Sequence, residues 1–235
     1  MFNINKFISL IAHKKNIQKM KDYEIRFDRL VDKILKGKSL CDIIIDTTLQ
    51  KQVISEFKSL LKTKTEKLQQ SASPYLINIS GIPGSGKTTL AKQILSRNSE
   101  LLYVSFDEIM ENISFYKSDC QKLGAECAFT KWELPARYLG YKLLRDGLIN
   151  RYPILFDHSN AFLEHIELYK IIKGMGYKTE IQFIDIDLKT AIERSKKRLR
   201  FVPEKMIRDR HKLLKNLNLQ YNEIVDKFIV LNKEN

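Results

Sequence analysis

The residue types most suited to chemistry lie in one glycine-rich segment, Gly81-Ile-Pro-Gly-Ser-Gly-Lys-Thr88. This segment satisfies the pattern G-x-x-x-x-G-K-[ST], and it stands between an apolar β-rich run and a run typical of a helix. Such a segment can turn consecutive backbone N–H groups toward one point, where the positive end of the following helix dipole also lies. The pattern therefore predicts a phosphate-binding loop, or P-loop.

The residues of the loop predict a nucleotide and a metal ion as cofactors. Lys87 is expected to reach the β- and γ-phosphates of ATP or GTP as a catalytic residue, and the Thr88 hydroxyl is expected to bind Mg²⁺. No aspartate after the loop has glycine three positions further on, which disfavours a regulatory GTPase. The predicted nucleotide-binding residues are Gly81, Gly84, Ser85, Gly86, Lys87, Thr88 and Thr89.

Two carboxylates follow directly after β-rich runs, Asp107 and Asp157. In open parallel sheets, ligands bind beyond the carboxyl ends of the strands, and phosphoryl transfer to a hydroxyl needs a carboxylate that accepts the proton. Both aspartates are therefore candidates for chemistry, and His158 and Ser159 are placed beside them by position. A helix N-cap remains the alternative for Asp107, and a turn or cap the alternative for Asp157.

A dense basic segment lies further along the chain. Residues 193–212 contain nine basic and three acidic side chains. A helix–loop–helix here could fold over a bound nucleotide and bring arginines to the transferring phosphoryl group. Arg194 and Arg200 are the predicted catalytic arginines, and the alternative is a solvated helix face.

Two patterns divide the chain and predict its fold class. Residues 1–73 contain Gly37 as their only glycine and no proline, and apolar residues recur there at helical spacing. From residue 74 onward, β-rich runs alternate with helical stretches, which predicts an α/β P-loop NTPase fold with a parallel sheet of about five strands covered by helices on both faces. We expect a helical extension over 1–73, a kinase domain over 74–235, and a loop or insertion between Asp107 and Trp132. The predicted strands are 76–79, 101–106, 154–156, 181–186 and 228–231.

Composition restricts the partners and the compartment. The net charge of +13 favours polyanions such as nucleotides, nucleotide sugars or RNA. Three cysteines without a Cys-x-x-Cys pair suggest neither a disulfide framework nor a zinc site. We find no signal peptide and no membrane-spanning run, so the expected location is cytoplasmic.

Taken in order, these residues resemble the zeta toxin family of P-loop kinases, which is close to the polynucleotide kinase-like phosphotransferases. The resemblance covers roughly residues 75–215. Where that family usually has a glutamate followed by glycine, this chain has Asp157 and His158. The matching positions are Gly81–Thr88, Asp107, Asp157, Ser159, Gly176-Tyr177, Arg194, Arg200 and Val202-Pro203.

The resemblance implies a phosphotransferase that moves the γ-phosphate of ATP or GTP to a hydroxyl of a nucleotide sugar such as UDP-N-acetylglucosamine. It implies that Asp107 acts as the base, that Asp157 and Ser159 hold the substrate, and that the arginines contact phosphates. It also implies an antitoxin-like or regulatory partner at the N-terminal helices. The extension could instead fold back as a regulator or simply brace the sheet.

Two other functions remain open from sequence. The charge would suit a kinase acting on RNA or a tRNA-borne group, and steep salt dependence of binding would favour it. Alternatively, the loop could hold nucleotide without transferring phosphate, as in a nucleotide-dependent binding or effector protein.

Overall fold

The computed structural model describes residues 4–197 and 201–232, with side chains described from residue 18. Within these residues, five strands form a single sheet in the order β2-β3-β1-β4-β5, and every neighbouring pair is parallel. The predicted fold class is therefore confirmed. The strands are β1 (Tyr75–Ser80), β2 (Leu102–Ser105), β3 (Ile154–Asp157), β4 (Lys178–Asp185) and β5 (Lys227–Asn232).

Helices connect the strands and precede them. The helices are α1 (Ile4–Ile34), α2 (Leu40–Ile43), α3 (Thr47–Thr65), α4 (Lys87–Arg97), α5 (Phe106–Asn112), α6 (Ser114–Leu123), α7 (Ala125–Ile149), α8 (Glu164–Gly174), α9 (Leu188–Lys196) and α10 (Glu204–Ile224). None of the helices in the described part of the chain is long and apolar enough to cross a membrane.

Side chains along each strand point alternately to the two faces of the sheet, and both faces are apolar. In β1, Leu76 belongs to the largest core cluster, whereas Ile77 and Ile79 belong to a smaller cluster that includes Ala91 of α4. Successive side chains of a strand point to opposite faces, so one short apolar strand can serve both cores. This explains why the β1 run carries several consecutive buried residues.

The predicted helical extension consists of α1, α2 and α3. Gly37, with φ of +69°, lies just past the end of α1 and separates it from α2. Ser39 then caps α2, and Asp46 caps α3 by accepting hydrogen bonds from two backbone N–H groups. The large core cluster continues into the extension through Phe27 and Val53.

The expectation of a loop between Asp107 and Trp132 is wrong, because this segment forms α5, α6 and the start of α7. Ile109, Ile113 and Tyr116 are buried and recur at helical spacing. The helix is interrupted at Ile113, between α5 and α6, so no single long helical pattern runs through the segment.

Candidate active site

The P-loop joins β1 to α4 and depends on glycine at two tightly packed positions. Gly81 and Gly84 have φ of +141° and +89°. A Cβ atom on Gly84 would lie 2.1 Å from the carbonyl oxygen of Ala191 in α9, and one on Gly81 would lie 2.8 Å from Ser85 Oγ. The loop is therefore pressed against the α9 backbone, and no larger residue fits at Gly84 without movement.

The loop also presents groups that suit a phosphate. Lys87 Nζ donates hydrogen bonds to the carbonyl oxygens of Gly81 (2.9 Å) and Ile82 (3.1 Å), so the ammonium group lies over the loop. Ser85 Oγ is buried and has no hydrogen-bond partner among the described residues. A buried hydroxyl without a partner is costly, and a phosphate oxygen would satisfy it. The loop thus fits the phosphates of a nucleotide.

Asp157 lies beside the loop because β3 pairs directly with β1. Its Oδ2 atom accepts hydrogen bonds from Thr88 Oγ1 (3.3 Å) and Tyr103 Oη (3.0 Å), and the residue is only 7% exposed. Burial, followed by the nearby Asp157 charge, raises the pKa of Tyr103, so this phenol remains a hydrogen-bond donor. A threonine hydroxyl next to an aspartate carboxylate is an oxygen ligand set that suits Mg²⁺.

Asp107 lies in the first turn of α5, but it is not the N-cap of that helix. Ser105 is the N-cap, and its hydroxyl accepts a hydrogen bond from the Glu108 backbone N–H at 3.3 Å. The capping alternative for Asp107 is therefore not observed. Its carboxylate lines the same pocket as Lys87 and Asp157.

This pocket brings together six of the thirteen site residues that the sequence singled out. Six predicted site residues line it: Lys87, Thr88, Asp107, Asp157, His158 and Ser159. Thr89 lies in the first turn of α4, exposed and outside the pocket lining. The pocket is also lined by Pro83, Phe106, Met110, Phe129, Glu133, Ala136, Arg137, Val202, Met206 and Arg210.

His158 is held in one orientation by the loop that follows β3. Its ring stacks on Phe156 with centroids 5.2 Å apart, and its Nδ1 atom accepts the backbone N–H of Asn160 at 3.1 Å. Burial first, and then the neighbouring ring of His165 and the positive charges of Arg210 and Arg137, lower the pKa of His158 well below its usual value. From this hydrogen bond, we assign a neutral ring that carries its proton on Nε2. His158 thus provides a hydrogen-bond donor on the pocket wall.

A buried polar network fixes this loop from behind. Asn160, with φ of +58°, donates from Nδ2 to Asn78 Oδ1 (2.7 Å) and to Tyr169 Oη (2.9 Å), and its Oδ1 lies 3.2 Å from His165 Nδ1. His165 Nε2 lies 2.7 Å from Tyr141 Oη. Burial lowers the pKa of His165 to about 3, so the ring is neutral, donates from Nδ1 and accepts at Nε2.

Ser159 is anchored in the same loop through its backbone. Its carbonyl oxygen accepts a hydrogen bond from Ser80 Oγ at 2.9 Å, and Ser80 is the last residue of β1. This bond links the loop after β3 to the strand that leads into the P-loop.

Among the described residues, the pocket is lined by two arginines that the sequence did not single out. Arg194 is exposed on α9 and is not part of the pocket lining, and Arg200 lies outside the described residues. The guanidinium groups come instead from Arg137 of α7 and Arg210 of α10. Arg210 lies within the basic segment 193–212, whereas Arg137 lies far outside it.

Arg137 is placed by two neighbours. It forms an ion pair with Glu133 one helical turn earlier, and its guanidinium group lies 5.0 Å from the centroid of the Phe162 ring. The i,i+4 spacing of Glu133 and Arg137 is the only signal in the sequence that could have indicated this pair.

Comparison with known proteins agrees with this architecture. The model of the AAA domain family matches residues 76–217, which is more than half of the 235 residues. The chain therefore belongs to the AAA domain family. No curated protein matches the chain.

Solved structures show the same fold at low sequence identity. A chain from the PezAT chromosomal toxin-antitoxin system of the human pathogen Streptococcus pneumoniae superposes with a TM-score of 0.63 at 14% identity, with 78% of each chain covered. This likeness shows the fold alone, and the predicted α/β P-loop fold is confirmed.

Two further structures are more distant. An AvrRxo1-ORF1:-ORF2 structure with ATP has a TM-score of 0.49 at 15% identity, with 88% of this chain and 63% of that chain covered. Shikimate kinase from Acinetobacter baumannii in complex with shikimate has a TM-score of 0.43 at 18% identity, with 69% and 86% covered. These likenesses are too weak to bear on the site.

Proposed function

We propose that this protein is a phosphotransferase that moves the γ-phosphate of ATP or GTP to a hydroxyl of a small anionic substrate, a nucleotide sugar such as UDP-N-acetylglucosamine. The observation that carries the proposal is one pocket in which Lys87 and Thr88 of the P-loop share the lining with Asp107 and Asp157. Phosphoryl transfer requires phosphate binding, a metal site and a proton acceptor in one place, and these side chains can provide all three.

The roles follow from the surroundings of each residue. Lys87 and the buried Ser85 hydroxyl would bind the phosphates of the nucleotide. Thr88 and Asp157 would hold Mg²⁺, which would neutralise negative charge on the phosphates. This assigns Asp157 to the metal side of the pocket, because its carboxylate contacts the P-loop threonine.

Asp107 would accept the proton of the substrate hydroxyl, because it lies in the pocket without serving as a helix cap. Arg137 and Arg210 would meet the negative charge of the substrate or of the transferring group. His158 and Ser159 line the substrate side, where the Nε2–H group of His158 can donate to an oxygen of the substrate.

The test is transfer of labelled γ-phosphate from ATP or GTP, with Mg²⁺, to a panel of UDP-sugars, nucleosides and RNA with a free 5′-hydroxyl. We expect a UDP-sugar to be labelled, and we expect Lys87→Ala to abolish labelling. Lys92→Ala is the matched control, because Lys92 is exposed on the same helix.

Other outcomes separate the alternative functions. Labelling of RNA alone would mean that the substrate is a nucleic acid. In that case, binding of RNA should weaken as the salt concentration rises. Binding of ATP with no labelled acceptor would contradict the kinase proposal and favour a nucleotide-dependent binding protein.

We also infer an antitoxin-like or regulatory partner at the N-terminal helices. The solved chain with the same fold comes from a toxin-antitoxin system. In this chain, the described part of the extension forms a groove with α7 that is lined by Val31, Ile54, Phe57 and Tyr138, and nearby Ile45 is 87% exposed. Mixing the chain with a candidate antitoxin-like protein should give a complex on gel filtration that Ile45→Asp weakens. A complex unaffected by this change would place the partner elsewhere.

A further inference from the structure

The extension reaches the catalytic side of the domain through one lysine. Lys64, in the last turn of α3, has a side chain that is only 12% exposed. Its Nζ atom donates to Glu108 Oε2 at 2.6 Å and to the Tyr103 carbonyl oxygen at 3.1 Å, and it lies 5.1 Å from the centroid of the Tyr103 ring. A cation with so little exposure is stable only when it is paired and hydrogen-bonded, so these contacts define its position.

Each partner of Lys64 adjoins a carboxylate of the proposed reaction. Glu108 directly follows Asp107 in the first turn of α5. Tyr103 donates its phenolic proton to Asp157 Oδ2 at 3.0 Å. One ammonium group therefore holds both the helix that carries the proposed base and the tyrosine that orients the proposed metal ligand.

A second contact fixes the other end of α5. Glu56, also on α3, accepts hydrogen bonds from the backbone N–H (3.1 Å) and the hydroxyl (2.5 Å) of Ser114, two residues after α5 ends. The helix that carries Asp107 is thus held by α3 near its beginning and just past its end.

From these contacts, we propose that Lys64 is a positioning residue of the active site and that α3 is a structural part of the catalytic centre. The proposal rests on the roles proposed above for Asp107 and Asp157. Displacement of a catalytic group by about 1 Å can lower a rate on the order of 10²-fold, so the tie between Lys64 and Glu108 should be visible in turnover.

The experiment compares Lys64→Met, Lys64→Arg and Lys62→Met in the full-length chain. We expect Lys64→Met to lower kcat by about 10- to 100-fold while the KM for nucleotide changes by less than about threefold. Lys64→Arg retains the charge and should recover kcat to within about threefold of the original chain. Lys62 is exposed on the same helix, and its substitution should change neither parameter.

Two results would overturn the proposal. The first is an unchanged kcat in Lys64→Met. The second is an equal loss of kcat in Lys64→Met and Lys64→Arg together with a lower melting temperature in both, because this would indicate a purely structural lysine.

A separate measurement keeps this proposal distinct from the proposed function. If the original chain labels no acceptor, the kinase proposal fails, and Lys64 is tested by the Mg²⁺ dependence of binding of a fluorescent ATP analogue. Loss of the lysine should raise the Mg²⁺ concentration for half-maximal binding at least about threefold, because Tyr103 would no longer hold Asp157 in place. Tyr103→Phe should reproduce this shift, and an unchanged midpoint in Lys64→Met would contradict the proposal.

Discussion

The two pocket aspartates differ in their surroundings, and this difference separates their proposed roles. Asp157 is 7% exposed and accepts hydrogen bonds from Thr88 and Tyr103, which fix the direction of its carboxylate. Asp107 is half-buried in the first turn of α5 and faces the pocket. The fixed carboxylate suits a metal ion, and the more accessible one suits proton transfer from an entering substrate.

The role of Asp107 predicts a specific kinetic defect. Asp107→Asn should lower kcat on the order of 10²- to 10⁴-fold, because the amide cannot accept the substrate proton. Binding of the nucleotide should be retained, since the P-loop is unchanged. The measurement is single-turnover phosphate transfer together with a nucleotide-binding titration.

Glu111→Gln is the control for this change, because Glu111 is exposed on the same helix. Activity of Asp107→Asn equal to that of the control would remove the base assignment.

His165 predicts a dependence of stability on pH. Burial holds the pKa of His165 at about 3, whereas an unfolded histidine titrates near about 6.5. The unfolded chain therefore takes up a proton that the folded protein excludes. The free energy of unfolding should fall as the pH decreases from about 6.5 toward 3, by up to about 1.4 kcal/mol per pH unit for this residue.

Urea denaturation at several pH values between about 3 and 6.5 measures how steeply the free energy of unfolding depends on pH. His165→Gln can still donate and accept hydrogen bonds, and it should make the slope shallower. His211 is less buried, and His211→Gln should change the slope less than His165→Gln does. Equal slopes in the original chain and in His165→Gln would show that His165 does not carry the effect.

At the scale of elements, the site depends on contacts that lock loops to strands and helices. The P-loop is backed by α9 at Ala191, and the loop after β3 is held by Asn160, whose side chain bonds to Asn78 of β1. Ser80 of β1 bonds to the carbonyl of Ser159. The P-loop and the loop after β3 are therefore fixed to the same strand.

The contact between the P-loop and α9 predicts the effect of one methyl group. In Gly84→Ala the new Cβ would lie 2.1 Å from the carbonyl oxygen of Ala191, so the loop or α9 must shift. We expect nucleotide affinity to fall about tenfold or more, equivalent to ~1.4 kcal/mol. Isothermal titration with the nucleotide measures this change.

Gly37→Ala is the matched control, since Gly37 also has positive φ but a Cβ atom added there would meet nothing within 4 Å. This change should cost about 1 kcal/mol of stability from backbone strain and leave the affinity unchanged. Equal affinities of Gly84→Ala and the original chain would mean that the contact with α9 does not shape the loop.

At the scale of the whole molecule, the extension shares its core with the sheet domain. Phe27 and Val53 belong to the same buried cluster as Leu102 of β2 and Leu144 of α7. On the surface, Arg145 of α7 bonds to Asp28 of α1 through two nitrogens. The boundary predicted at residue 73 marks a change of sequence pattern, and core packing continues across it.

This shared core predicts the result of a truncation. A chain that begins at Pro74 should expose the apolar surface now covered by α1 and α3, and it should aggregate or lose cooperative unfolding. Gel filtration and thermal unfolding monitored by circular dichroism, beside the full-length chain, test this. A monomer with an unchanged melting temperature would show that residues 74–235 fold as an independent domain.

Those parts of this protein that depend on local pattern could be predicted from the amino-acid sequence. The P-loop from Gly81 to Thr88 is a contiguous motif, and the alternation of strands and helices fixes the class of the sheet. Asp107 and Asp157 could be named as candidates because the carboxyl ends of parallel strands meet at one edge of the sheet, and both line the same pocket. Each of these inferences uses neighbours along the chain or a general rule of the fold.

Which distant side chains meet in the pocket became clear only from the folded chain. The sequence favoured Arg194 for its basic surroundings, whereas packing turned Arg137 and Arg210 inward from two other helices. The proton position on His158 and the contacts of Lys64 with α5 likewise arise between elements far apart in the chain. The direction of a side chain around a helix is set by what that helix packs against, and this information is present only when the chain is folded.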